Sequence, residues 1–120
     1  MKDRELLELA AKAAGLFEYT EWSDQITDYD SPHYMSWALH KPGAGGECSS
    51  WNPLTDDGDA LRLATALELN VFHAGGNAYA MQSEDDGRYE RRVSYRDAVD
   101  KYAAARQAIV QAAAEIGKAG

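Results

Sequence analysis

The sequence predicts an α+β domain in which an antiparallel sheet is flanked by helices, in the order α-β-β-α-β-β-β-α. Three observations lead there. Apolar residues recur at helical spacing near both ends and in one central block. The runs between them are short, rich in residues that favour strands, and punctuated by glycine or proline. The joins between those runs are too short for the crossovers that parallel strands require. A chain of 120 residues, 45% of them hydrophobic, suits a single domain. Folding at this size buries roughly 65% of the unfolded surface, enough for a core without disulfides.

Residues 3–15 read as the first helix: Asp3 caps it, Leu6, Leu9, Ala10 and Ala13 share one face, and Gly15 stops it. Leu16 to Trp22 has the composition of a strand, and Ser31-Pro32 disfavours helix beyond it. Tyr34 to His40 reads as the second strand, with Met35, Trp37 and Leu39 on its buried face and Tyr34, Ser36, Ala38 and His40 on the other. Pro42 to Gly46 is a loop that leads through Cys48 into Trp51-Asn52-Pro53-Leu54. A second helix is expected over about 57–69, capped by Thr55 or Asp56, its early carboxylates matched to the positive end of the helix dipole. Asn70 to Ala74 and Asn77 to Gln82 form a hairpin about Gly75-Gly76. After a turn at Asp85-Asp86-Gly87 a third strand begins at Arg88, edge-like and half-polar. Ser94 caps the last helix, from about Tyr95 to Ile116, with Val99, Tyr102, Ala105, Ile109, Ala112 and Ile116 on one stripe.

Twelve basic and twenty acidic side chains give a net charge of −8, which disfavours binding nucleic acid through a general phosphate-neutralising surface. The excess is local. Residues 1–68 hold 13 acids and 5 bases, whereas residues 69–120 hold 7 of each. Phe17 to His40 contains Glu18, Glu21, Asp24, Asp28 and Asp30 with no Lys or Arg, together with half of the chain's aromatic residues. A segment both anionic and aromatic is neither a plain linker nor a plain core strand. Glu18, Glu21, Trp22, Asp24, Asp28, Tyr29 and Asp30 are therefore the candidate partner-binding residues. The plainer reading is a strand and loop with alternate residues turned inward. Arg88, Arg91, Arg92 and Arg96 are the one basic concentration, either a charged strand edge or a contact for an anionic ligand.

No apolar run reaches the roughly 18–20 residues of a membrane span, and the charged N-terminus does not resemble a signal peptide. Cys48 is the single cysteine, so no internal disulfide forms and a reducing, cytoplasmic compartment is expected. His33, His40 and His73 lack the spacing of a zinc site, and Asp56, Asp57 and Asp59 lack that of a calcium loop. Gly43 to Gly46 is not followed by the Lys-Ser/Thr of a phosphate-binding loop. His40 and Cys48 could serve a small hydrolase as base and nucleophile only with a positioned third group and an oxyanion site, neither visible in the sequence. Neither catalytic residues nor a metal or cofactor are expected.

The N-terminal Glu5-Leu6-Leu7-Glu8-Leu9-Ala10-Ala11-Lys12-Ala13-Ala14-Gly15-Leu16, the central Trp51-Asn52-Pro53-Leu54-Thr55-Asp56-Asp57-Gly58-Asp59-Ala60-Leu61 and the closing Ala104-Ala105-Arg106-Gln107-Ala108-Ile109-Val110 span nearly the whole chain. In these blocks the sequence resembles the phage ABA-sandwich family of small phage and prophage proteins, and more distantly the NinX-like phage proteins. The resemblance implies a helix-flanked antiparallel sheet and an accessory protein of a temperate phage acting in the cytoplasm of its bacterial host. It carries over no catalytic residue. The chain departs from the NinX-like group in opening its last helix with Ser94-Tyr95-Arg96 rather than an Asn-Pro turn, and in its glycine-rich Pro42 to Gly46 insertion.

The expected function is accordingly that of a non-catalytic binding protein. Its acidic, aromatic surface would engage a host protein, such as a defence component with a basic nucleic-acid channel, in the manner of an anti-CRISPR protein. The alternative is a protein that binds or sequesters a nucleotide or signalling metabolite, with the arginines on phosphate and an aromatic ring on the base.

Overall fold

A computed structural model of the chain describes residues 3–23, 37–40, 50–82 and 90–119. Helix α1 (Asp3–Ala13) buries Leu7, Ala10 and Ala11. It ends as Gly15 turns left-handed at φ 77°. The Gly15 amide then reaches the Lys12 carbonyl at 3.1 Å and the Leu16 amide the Ala11 carbonyl at 2.9 Å, the paired closure of a Schellman motif. That closure uses up the start of the strand expected from Leu16. The chain turns through Phe17 and Glu18, and extended pairing is confined to β1 (Glu21–Ser23).

Strand β1 pairs antiparallel with β2 (Ala38–His40), Trp22 opposite Leu39, and β2 pairs with β3 (Ser50–Trp51), Leu39 opposite Trp51. Strand β3 is additional to the order expected from sequence, since two residues carry no readable period. In β2 both Ala38 and Leu39 are buried, which corrects the expected exposure of the Ala38 side. Tyr34 to Ser36 and the Pro42 to Gly46 loop lie outside the described residues.

Helix α2 (Asp57–Ala66) starts as expected. Asp56, extended at φ −124° and ψ 121°, accepts the Asp59 amide on its side chain, at 2.8 Å. It ends three residues short of the expected Leu69, because Glu68 adopts φ 53° and turns the chain directly into β4. The hairpin of β4 (Leu69–Ala74) and β5 (Asn77–Gln82) is as predicted. Gly75 and Gly76 both have positive φ, 58° and 78°, which two-residue turns of the primed type demand. Strand β6 (Arg91–Ser94) pairs with β5, Val93 opposite Ala78. The expected turn at Asp85-Asp86-Gly87 and strand start at Arg88 lie outside the described residues.

Helix α3 (Lys101–Ala119) begins six residues later than expected. The Ser94 hydroxyl accepts the Arg96 amide at 3.1 Å and holds a local turn, while Asp100 caps the helix by accepting the Ala103 amide at 2.8 Å. The expected stripe holds at Ile109 and Ala112, which are buried, and fails at its start. Val99 is 92% exposed and Tyr102 60%, whereas Ala104, Ala108, Val110, Ala112, Ala113 and Gly117 are buried. Helix α3 packs on α1, on α2 and on the β4–β5–β6 sheet at once, so its buried face is a wide arc of small residues rather than a narrow stripe. Gly117 marks the closest approach: a Cβ there would overlap the Leu9 carbonyl of α1. Leu7, Leu39, Trp51, Leu63, Ala80, Val93 and Val110 belong to one core cluster, so the two sheets and three helices share a single interior. The fold is the α+β class the sequence predicts.

Candidate functional site

The turn after α1, strand β3 and helix α2 line an open cavity of about 750 Å³. Its walls are Leu16, Tyr19, Trp51 and Leu63, with Asp59 and Arg62 at the polar side. The Tyr19 and Trp51 rings face each other at 6.3 Å with a 53° tilt. Local sequence builds each part. The α1 closure delivers Leu16 and Tyr19, the short β3 presents Trp51, and the N-cap of α2 fixes Asp59 and Arg62 one turn apart.

Asn52 and Asp59 hold this corner together. Asn52 is fully buried; its side-chain amide donates to the Trp37 carbonyl at 2.9 Å and its oxygen accepts the Leu54 amide at 3.0 Å. Its main-chain amide donates to Asp59 Oδ2 at 2.9 Å. The other oxygen of Asp59 accepts from Arg62 at 2.6 Å, so a carboxylate only 4% exposed has both oxygens satisfied. The Asp59 hydrogen bond holds the Arg62 guanidinium above its ordinary range, outweighing the opposing effect of desolvation, and the charges of Asp59 and Asp56 add to it. Arg62, like any guanidinium, carries its positive charge throughout the ordinary pH range. Its side chain is 70% exposed although Asp59 pins it. Gly58 makes this placement easy: a Cβ there would sit 3.3 Å from one Arg62 terminal nitrogen and 3.2 Å from Asp56 Oδ2. The result is an oriented guanidinium beside an aromatic wall, suited to receiving a carboxylate attached to an apolar group.

Of the acidic, aromatic residues singled out in sequence, Glu18 and Glu21 are exposed. Phe17, between them and the helix end, is 70% exposed. Trp22 has a packing role: its indole N–H donates to Glu8 at 3.1 Å, its ring lies 5.8 Å from that of Trp37, and the Arg4 guanidinium sits 4.9 Å over it. Asp24, Asp28, Tyr29 and Asp30 lie outside the described residues.

The arginines do not converge. Arg91 shares a sheet face with Ala80 and pairs with Glu115 of α3 at 3.0 Å. Arg92 lies on the opposite face, beside Tyr79, which in turn stacks on Phe72 at 4.7 Å with the rings 5° from parallel. Arg96 follows the strand in the Ser94 turn, exposed, and Arg88 lies outside the described residues. Sequence reading missed Arg62, Trp51 and Tyr19 as neighbours. Asp59 and Arg62 three apart on a helix were the one available signal, and nothing local indicated that Tyr19 would meet them.

Among the described residues no group of three or more His, Cys, Asp or Glu side chains is placed to hold a metal ion, and no helix is long and apolar enough to cross a membrane. The His73 imidazole is tied to the Tyr95 hydroxyl at 2.5 Å. The chain matches no protein family, no curated protein and no solved structure in comparisons with each.

Proposed function

We propose that the protein is a non-catalytic binding protein whose acidic, aromatic first half engages a basic segment of a partner protein. The observation that carries this reading is Phe17, 70% exposed, set between two residues that wall the cavity and followed by exposed Glu18 and Glu21. A large aromatic left in solvent beside carboxylates is the composition of a binding hot spot that selects a basic partner. With the phage-like sequence blocks, the partner is a host protein, the setting is the bacterial cytoplasm, and the consequence is inhibition of a host defence component through its basic nucleic-acid channel.

The test is affinity purification from host cells at low and at high salt, with the native chain and with Phe17→Ala and Glu18→Lys/Glu21→Lys variants. A partner retained by the native chain at low salt, released by added salt and lost with both variants is the expected result. Recovery unchanged by charge reversal overturns it.

A second reading has one observation in its favour, the row Phe72, Tyr79 and Arg92 across the open face of the β4–β5–β6 sheet. Two stacked rings beside a guanidinium suit a nucleotide or a related metabolite. A rise in melting temperature with nucleotides that disappears in Arg92→Ala supports that reading, and a flat response removes it.

A further inference from the structure

We infer that the cavity beside Phe17 receives the C-terminal end of a basic peptide chain, with its terminal carboxylate on Arg62 and its last apolar side chain against Tyr19 and Trp51. The inference rests on the binding reading above and adds to it the part of the partner that enters the protein.

Four observations fit this occupant. The cavity, about 750 Å³, has the size of a small-ligand pocket and exceeds what one side chain fills. Its walls are mostly apolar, formed by Leu16, Tyr19, Trp51 and Leu63 among others. Its exposed cation is already oriented: Asp59, buried and fully hydrogen-bonded, fixes one edge of the Arg62 guanidinium at 2.6 Å. A planar fork of five donors then still has N–H groups beyond the one engaged. Finally, the surroundings are anionic, since Asp56 lines the cavity and Phe17-Glu18 lie between two wall residues.

These features together select the ligand. A free phosphate or nucleotide would bring two or more negative charges beside Asp59 and Asp56, whose carboxylates already stand 2.6 and 3.9 Å from the Arg62 guanidinium, and repulsion would offset what Arg62 supplies. A wholly basic segment would match the acids but repel Arg62 and leave the aromatic wall unused. A chain end satisfies all three parts: one negative charge for Arg62, an apolar side chain for the wall, and lysines or arginines a few residues upstream for Glu18 and Glu21. The last-residue carboxylate is a single charge on a planar group, the geometry that a guanidinium receives with two parallel hydrogen bonds.

The test uses the full chain and a fluorescein-labelled, lysine-rich peptide ending in phenylalanine, followed by fluorescence anisotropy. The free-acid peptide should bind, and amidation of its C-terminus should weaken it about tenfold or more, as loss of a charge-assisted hydrogen bond does. Arg62→Gln should bind acid and amide equally weakly, and Arg62→Lys should restore part of the preference for the acid. Ala66→Trp, which fills the cavity from an exposed wall position, should abolish binding with the melting temperature unchanged, and so separates occupancy from folding. Equal affinity of acid and amide for the native chain overturns the inference. If charge reversal at Glu18 and Glu21 still weakens the peptide in that case, the surface reading stands and only the cavity assignment fails. If neither amidation nor charge reversal has an effect, both fail.

Discussion

The two sheets of this protein are held together in different ways. In the β4–β5–β6 sheet the strands run to six residues and the register is continuous from Leu69–Gln82 to Ala74–Asn77. Its inner face is Ala78, Ala80 and Val93 against the alanines of α3. Main-chain pairing and close packing of small side chains suffice. In the β1–β2–β3 sheet the strands have three, three and two residues, too short for a ladder to specify anything by itself. Side chains do that work: Asn52 bonds across to Trp37, Asp59 holds the Asn52 amide, and Trp22 is tied to Glu8 of α1. The candidate site lies in the second kind of structure. Loop and strand-end residues held by specific polar contacts can vary in chemistry, whereas an alanine face against a helix has no room to vary.

The largest expected effect falls on what the two regions share. Gly117→Ala should force α1 and α3 apart at the Leu9 carbonyl and cost about 3 kcal/mol. A chemical-denaturation midpoint within experimental error of the native one would show that the helix crossing is looser than described. Gly15→Ala, left-handed but with open space around its Cβ position, should cost only about 1 kcal/mol.

The next effect is specific to the first sheet. Asn52→Leu keeps the volume but leaves the Trp37 carbonyl and the Leu54 amide without their partner, at a cost of about 2–3 kcal/mol. It should also quench or shift tryptophan fluorescence around Trp37 and Trp51 before global unfolding. If thermal melts followed by fluorescence and by circular dichroism coincide and stay native-like, the polar tie is not what holds the corner.

Arg106 bridges the two regions: its Nε donates to the Leu54 carbonyl at 2.9 Å and a terminal nitrogen to Asp57 at 2.6 Å. Arg106→Ala should cost about 1–2 kcal/mol, mostly through the abandoned carbonyl, since its partner Asp57 is 73% exposed. High salt should therefore leave most of that loss intact; a loss erased by salt would reassign it to the ion pair.

The smallest effect is expected at the edge of the second sheet. Arg91→Ala removes a partly exposed pair with Glu115 and should change stability by less than about 0.5 kcal/mol. A larger value would mean that β6 depends on side-chain ties as the first sheet does.

Caps, glycine turns and two-residue periods act over a few neighbouring residues, so the α+β class, the first helix with its Gly15 stop, the Asp56-capped start of α2 and the Gly75-Gly76 hairpin were legible along the chain. The sequence also determined that the negative charge belongs to the first half. Tertiary structure decided the rest. The late start of α3 follows from competition between two caps, Ser94 and Asp100, both reasonable locally. The burial of Ala104, Ala108 and Gly117 beside the expected Ile109 and Ala112, with Val99 and Tyr102 left exposed, follows from packing on several partners at once. The two-residue strand β3 is set by its pairing with β2 and by the ties of Asn52 to Trp37 and Asp59. The cavity that joins Tyr19 and Trp51 to Arg62 depends on contacts between residues more than thirty positions apart along the chain, a distance over which no local pattern carries information.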